Sequence, residues 1–329
     1  MALQSGNDAE AMTAKLAERL LAGDLRALAR GISLVEDDSP AAQALLSACF
    51  PHTGKAIRIG VTGAPGAGKS TLVDQLARVF REQQQRVGIL AVDPTSPFSG
   101  GAILGDRIRM ERHHADAGVY ARSMATRGAM GGLARAAMDT TMLIEASGRD
   151  RVLIETVGVG QDEIDIVRLA DITLVVLVPG MGDDVQSIKA GVLEIADIFV
   201  VNKSDREGAD RVEKELKAMQ SLAGSHGSWV PPVVRTVAST GQGIEGLAAK
   251  IADFVAWLAK DGHLEERRER QWRHRLTEMV RAELLRGLRA QGLNANELAE
   301  HARRIARREE DPFVTAVQMV TSITGGDGA

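Results

Sequence analysis

A single cysteine, Cys49, occurs in the 329 residues. One thiol closes no internal disulfide and excludes a C-x-x-C metal site, which suits a reducing compartment. A basic excess is missing as well: 44 acidic against 40 basic residues give a formal net charge of −4. No global positive field therefore draws the chain to nucleic acid or to anionic lipid. The longest strongly apolar run, ITLVVLV at 172–178, is far too short to span a bilayer. The opening MALQSGNDAEAM has neither the basic nor the apolar block of a secretion signal. Internal repeats and long low-complexity segments are absent too. These absences lead to the expectation of a cytoplasmic protein, with no membrane and no nucleic-acid partner, acting on a small molecule or another protein.

What is present falls into three stretches. Residues 1–55 read as a helical extension, with apolar and charged positions at helical spacing in AMTAKLAERLLAG and DLRALARGISLVE, punctuated by Asp24 and by Asp38-Ser39-Pro40. Over residues 56–260 short β-branched runs alternate with helical stretches, the pattern of a mostly parallel sheet covered by helices on both faces. The expected strands are RIGV, VGILAV, VYARS, RVLIET, ITLVVLV, DIFVVN and PVVRTVA. Residues 261–329 are helical again and dense in charge. Trp272, Leu276, Met279, Val280, Leu284 and Leu288 recur every three or four residues. That stripe has no sheet left to cover, so self-pairing into a homodimer is expected, the competing fate being packing back on the preceding domain.

GAPGAGKS at 63–70 fits G-x-x-x-x-G-K-[ST]. The apolar run Ile57 to Val61 precedes it, and Leu72, Val73, Leu76, Val79 and Phe80 follow at helical spacing. Strand, loop and helix are the context in which backbone N–H groups and a helix N-terminus cradle phosphates. Gly63, Ala64, Pro65, Gly66, Ala67, Gly68, Lys69, Ser70 and Thr71 are the expected phosphate-binding residues. Lys69 would reach the β- and γ-phosphates and the Ser70 hydroxyl would ligate Mg²⁺.

DIFVVN runs into NKSD at 202–205. The tetrapeptide alone reads equally as a polar cap or turn. After a phosphate loop, in this order, it resembles the guanine-reading element of GTPases. An Asp205 carboxylate accepts from guanine N1–H and the 2-amino group, whereas adenine has an acceptor at N1 and no 2-amino group. Asn202 would face the N7 side and tie loops together, and the Lys203 stem would cover the purine. Ser239 and Thr240, after the last strand, are either a final base-edge loop or a plain turn.

RVLIETVGVG places Glu155 at the carboxyl end of a strand and Gly158 three residues on. A carboxylate there can hold a Mg²⁺-bound water, and the glycine amide can swing toward the γ-phosphate and release as it leaves. Asp93 ends VGILAVD, and the Pro/Gly/Ser-rich segment after it closes on Asp106. Both are candidates for the metal shell and the water-facing side, with a helix N-cap as the alternative for Asp106. PGMGDDVQSIKAG carries Asp183, Gln186 and Lys189 as a nucleotide-sensing or partner loop, or as an ordinary connection. TRGAMGGL is open in the same way. Val159, not Gln, follows Gly158, so the usual water-orienting residue is missing and intrinsic hydrolysis should be slow. Arg107 and Arg109 are either positive charge supplied in cis or solvated helix arginines. His113 and His114 point about 100° apart on a helix and do not chelate one ion.

GAPGAGKS, VDPTSP, LGDRIRM, ATRGAMGGL, ETVGVGQ and NKSD, in this order, resemble the metallochaperone GTPases of the MeaB/ArgK type, whose third motif carries a glutamate, matched by Glu155. The resemblance covers nearly the whole chain. It implies an α/β P-loop GTPase with helical extensions at both ends, using GTP/GDP and Mg²⁺. It also implies a chaperone of adenosylcobalamin-dependent methylmalonyl-CoA mutase that assists cofactor loading and protects the enzyme. No cobalamin site is evident in the chain itself, nor the Cys/His motifs of nickel-inserting relatives. Some relatives were described as kinases of an amino-acid transport system, so a phosphotransferase is the alternative, although no acceptor site stands out.

Overall fold

The structure is a computed structural model that describes residues 2–94, 116–126, 132–156, 162–180, 195–223 and 229–324. It divides into two compact units, 1–267 and 268–329.

The larger unit is built on seven strands: β1 (Ile57–Gly63), β2 (Val87–Pro94), β3 (Val119–Thr126), β4 (Arg151–Thr156), β5 (Ile172–Leu177), β6 (Ile198–Asn202) and β7 (Val233–Thr236). All six pairings are parallel, in the order β3-β2-β4-β1-β5-β6-β7. Each of the seven runs read as a strand is one. Val237 departs from the expected last strand: it turns away to pair antiparallel with Gln242.

β1 lies between β4 and β5. The chain builds one side of the sheet with β2 to β4 and the other with β5 to β7, so the carboxyl end of β1 is the topological switch point, where such sheets leave a crevice for ligand.

Helices cover both faces, and strand alternation decides which residues meet them. On one face Ile57, Ile59, Val61 and Leu153 join Leu72, Leu76 and Phe80 of α4 (Lys69–Glu82), with Leu247, Ile251 and Phe254 of a later helix, Ile244–Leu258. On the other, Leu90, Val92, Val152 and Ile154 meet Leu143 and Ile144 of α5 (Gly132–Ala146). The helices α6 (Asp162–Leu169) and α7 (Ala209–Ala223) complete the cover, and Ile244–Leu258 is α8.

The amino-terminal extension forms α1 (Ala2–Leu21), α2 (Leu25–Glu36) and α3 (Pro40–Cys49). Asp24 caps α2 by accepting from the Arg26 and Ala27 amides at 2.8 and 3.1 Å, and Ser39-Pro40 opens α3. Leu20, Leu28, Ile32 and Leu45 are fully buried in the core shared with α5. Glu145 of α5 accepts from the amides of Gly54 and Ala56 at 2.9 and 3.1 Å, fixing the chain just before it enters β1.

The carboxyl-terminal stretch forms α9 (His263–Ala290), α10 (Ala295–Ala306) and α11 (Pro312–Thr324). The division between units falls inside α9, because its first turn belongs to the sheet domain: Arg267 makes a two-pronged pair with Asp197, at 2.9 and 2.7 Å, just before β6. Beyond it Leu276, Met279, Val280, Leu284 and Leu285 are exposed in this chain, and Phe313 is 81% exposed.

Candidate active site

At the end of β1 the backbone turns through Gly63 (φ 140°), Gly66 (φ 76°) and Gly68 (φ 87°), and α4 starts at Lys69. These angles exclude ordinary side chains, and space excludes them as well. A Cβ on Gly68 would lie 2.5 Å from Nδ2 of Asn202, and one on Gly63 would lie 2.2 Å from the Val176 carbonyl. The glycines are thus required both for the phosphate-wrapping turn and for packing the loop against β5 and β6.

Lys69 is buried, its Nζ donating to the carbonyls of Gly63 at 2.7 Å and Ala64 at 3.0 Å. The ammonium is held inside the loop, where a phosphate cradled by the same backbone would meet it. Ser70, one residue on, donates through Oγ to Oε1 of Glu155. The register explains the meeting: Glu155 of β4 stands beside Val61 of β1, level with the strand end from which the loop departs. Two hard oxygen donors, a hydroxyl and a carboxylate, converge beside the phosphate loop, a donor set that suits Mg²⁺. One step further along the same strands, Thr156 Oγ1 lies 3.3 Å from Thr62 Oγ1, both buried.

Asn202 at the end of β6 is 1% exposed and binds in two directions. Its Nδ2 donates to the Ala67 carbonyl of the phosphate loop at 2.8 Å. Its Oδ1 accepts from Thr236 Oγ1 at 3.1 Å and from the Ala238 amide at 3.0 Å. Lys203 adopts φ 54° and sends Nζ to the Gly66 carbonyl at 2.8 Å, laying its stem across the loop. Asp205 is exposed.

Two elements far apart in sequence, 63–70 and 202–205, are thereby bonded into one surface, with the 236–240 segment as a third wall. Within that segment Thr240 turns its hydroxyl back to the Val237 carbonyl at 3.1 Å, while Ser239 is exposed. Thr71 is exposed on the first turn of α4 and Pro65 on the loop. Asp93 sits on β2 opposite Ala125, one position beyond the Val92–Thr156 pair. Its side chain, and all of Asp106, Gly158, Asp183, Gln186 and Lys189, lie outside the described residues, as do Arg107, Arg109, His113, His114 and Val159.

Thr236 and Thr62 are contributors that motif reading passes over. Thr236 belongs to the expected strand PVVRTVA, but only its burial and its bond to Asn202 distinguish it from any other strand threonine. Nothing in spacing marks Thr62.

A parallel sheet carrying this phosphate loop at its switch point, bonded to an Asn-Lys-x-Asp turn, defines a P-loop GTPase. Residues 28–292 match the sequence model of the family described as methylmalonyl Co-A mutase-associated GTPase MeaB, and the chain belongs to that family. A relative from Pyrococcus abyssi, itself named at the level of a GTPase and no further, is 46% identical over 96% of this chain and 98% of its own length. GTPase ArgK of Escherichia coli is 36% identical over 82% of this chain and 85% of its own. The crystal structure of an LAO/AO transport system kinase is similar with a TM-score of 0.71 and 27% identity, covering 95% of this chain and 98% of that one. The protein is accordingly a guanine-nucleotide-binding GTP hydrolase. Among the described residues no helix is long and apolar enough to cross a membrane, and no group of three or more His, Cys, Asp and Glu side chains is placed to hold a metal.

Proposed function

We propose that this GTPase serves an adenosylcobalamin-dependent methylmalonyl-CoA mutase, coupling GTP binding and hydrolysis to cofactor loading and to protection of the mutase. The family description supports the client. So does similarity to the mouse protein named methylmalonic aciduria type A homolog, mitochondrial, 36% identical over 77% of this chain and 65% of that one. The observation that carries the switch is the Ser70–Glu155 contact. It joins the phosphate loop directly to the end of β4, two residues before Gly158 in sequence, so a change at the γ-phosphate is felt where the chain leaves β4.

Mg²⁺ would be held by Ser70, with Glu155, Asp93 and Asp106 around it, and when bound it would neutralise charge on the phosphates. Lys69 exchanges its loop carbonyls for phosphate oxygens. Asn202 holds the phosphate loop against the base wall, Lys203 covers the purine, and Asp205 reads the guanine edge, with Ser239 and Thr240 on the far side of the base. With Val159 where a glutamine commonly orients water, turnover by the GTPase alone is slow and waits for the client. The 261–329 helices join two copies through their exposed apolar stripe.

The competing reading is a phosphotransferase, after the name of the similar solved structure. A mixed assay with purified mutase and adenosylcobalamin, following GTP hydrolysis and mutase lifetime together, separates the two. The mutase accelerates hydrolysis and lives longer with the wild-type protein than with Lys69→Ala. If it does neither, the client assignment fails and the transferase must be tested instead.

A further inference from the structure

Opposite the nucleotide, at the amino-terminal edge of the sheet, three connections come together. Arg86 immediately precedes β2, Arg149 lies in the turn between α5 and β4, and Arg151 opens β4. Val87 stands beside Arg151 and Val119, and Gly88 beside Val152 and Tyr120, so the register sets these arginines at one end of adjacent strands.

Their charges are poorly compensated. Arg149 is only 4% exposed. Its Nη1 donates to the Ser147 carbonyl at 3.2 Å, yet among the described residues its Nε and Nη2 have no hydrogen-bond partner. Arg151 faces the other side of the sheet, its guanidinium over the Phe80 ring at 5.8 Å and its Nη1 donating to the Asp150 carbonyl at 3.2 Å, while the Gln85 side-chain oxygen is buried and unpartnered. Asp150, whose charge offsets part of that on Arg149, accepts from the Arg86 amide at 2.6 Å, and Asp116 binds Arg81 at 2.8 and 3.0 Å. Burial and the nearby Arg86 both hold the Arg149 guanidinium below its usual range. A buried guanidinium with two open donors is costly unless an anion meets it. Its cover is thin: Gly148 is exposed, and Arg86, also exposed, brings Nη1 to 3.6 Å from where a Cβ on Gly148 would be. The exposed Arg86 guanidinium beside it is a second fork of donors, the geometry suited to phosphate oxygens.

We propose that Arg86 and Arg149 form a binding site for a small phosphate-bearing anion, separate from the nucleotide site. The test uses the full chain saturated with GDP, so that the phosphate loop is filled, titrated calorimetrically with inorganic phosphate and, in a second arm, phenyl phosphate, with sodium chloride at matched ionic strength as control. Saturable binding is expected in the wild type, weakened at least tenfold by Arg149→Met and by Arg86→Ala. Binding of inorganic phosphate identifies a free-ion site, and binding of phenyl phosphate alone identifies a phosphorylated small molecule; either supports the proposal. Without phosphate, Arg149→Met unfolds at the same or a higher temperature than wild type, since an unpartnered buried charge is gone. Arg86→Ala, at an exposed position, keeps GTP hydrolysis and carries the same test should Arg149→Met fail to fold. No saturable binding of either probe to the wild type, or an unchanged affinity in a folded Arg149→Met, overturns it.

Discussion

Asn202 does the work of three bonds from one side chain, to Ala67, Thr236 and Ala238. Removing it leaves a buried carbonyl and a buried amide without partners. Asn202→Ala is therefore expected to cost about 1–3 kcal/mol in stability and to weaken GDP by about ten- to a hundredfold, read by urea unfolding and by nucleotide titration. Asp205 behaves differently, because it is exposed and its worth appears on binding. Asp205→Asn should leave the unfolding midpoint in place, weaken GTP by roughly a hundredfold or more, since charged hydrogen bonds contribute about 1.5–3 kcal/mol each, and favour xanthosine triphosphate. Equal affinities of the wild type for ATP and GTP would sink that assignment. Cys49, fully buried, has its thiol pushed up from 9.0 to about 11 by burial, and Tyr120 is raised from 10.0 to about 12 for the same reason. Both shifts are upward, so the unfolded chain releases these protons first, and their contribution is full below pH 9 and lost as pH rises to about 11 and 12. The unfolding midpoint should fall between about pH 9 and 12, less steeply above pH 10 in Tyr120→Phe, and Cys49 should resist thiol reagents until the protein unfolds.

Among the elements, β6 has a functional group at each end. Asn202 closes its carboxyl end, and Asp197, one residue before its start, pairs with Arg267 of α9 and accepts from the Thr173 amide at 2.7 Å. Burial raises the Asp197 carboxyl and Arg267 opposes that rise. Around the pair, Phe254, Trp257 and His263 stack in series with Trp229 edge-on to Phe254, and the Trp229 indole donates to the Asp197 carbonyl at 3.0 Å. Arg267→Ala strips a partly buried carboxylate of its counter-charge, a loss at or below the low end of the about 3–5 kcal/mol of broken buried pairs, since the two side chains keep 15% and 14% exposure. Asp197 is already raised above its ordinary range with Arg267 in place, and without Arg267 it rises further, so the variant regains more stability than the wild type as pH falls. Denaturant midpoints at pH 7.5 and 5.5 check the sign; equal losses at both would mean that Asp197 stays charged without its partner.

For the molecule as a whole, the exposed Leu276, Met279, Val280 and Leu284 set the expectation of a dimer. Leu276→Glu with Leu284→Glu, introduced in the full chain, should halve the mass measured by light scattering while leaving circular dichroism and GDP binding unchanged. A dimer that survives both charges places the interface elsewhere. Reciprocity adds a second expectation at this scale: if GTP and GDP change mutase affinity by some factor, the mutase must change nucleotide affinity by the same factor.

The seven strands, the phosphate loop and the Asn-Lys-x-Asp turn were legible in the chain itself, because each is a local pattern: apolar runs of strand length, glycines where the backbone must turn, a carboxylate placed after a buried strand. Spacing also singled out Asp24 and Ser39-Pro40 as breaks between helices. The meeting of Ser70 with Glu155, 85 residues apart, was decided by parallel register between β1 and β4. The bonds from Asn202 to Ala67 and Ala238 were decided by the sheet order that puts β1, β5, β6 and β7 side by side. So was the assignment of Arg267 to the sheet domain, since an arginine among many on a charged helix gains its meaning only from a buried Asp197 opposite. A sequence fixes which residues prefer a strand, a turn or a cap; which of them touch depends on the stacking order of elements, and that order is settled by burial of the whole core.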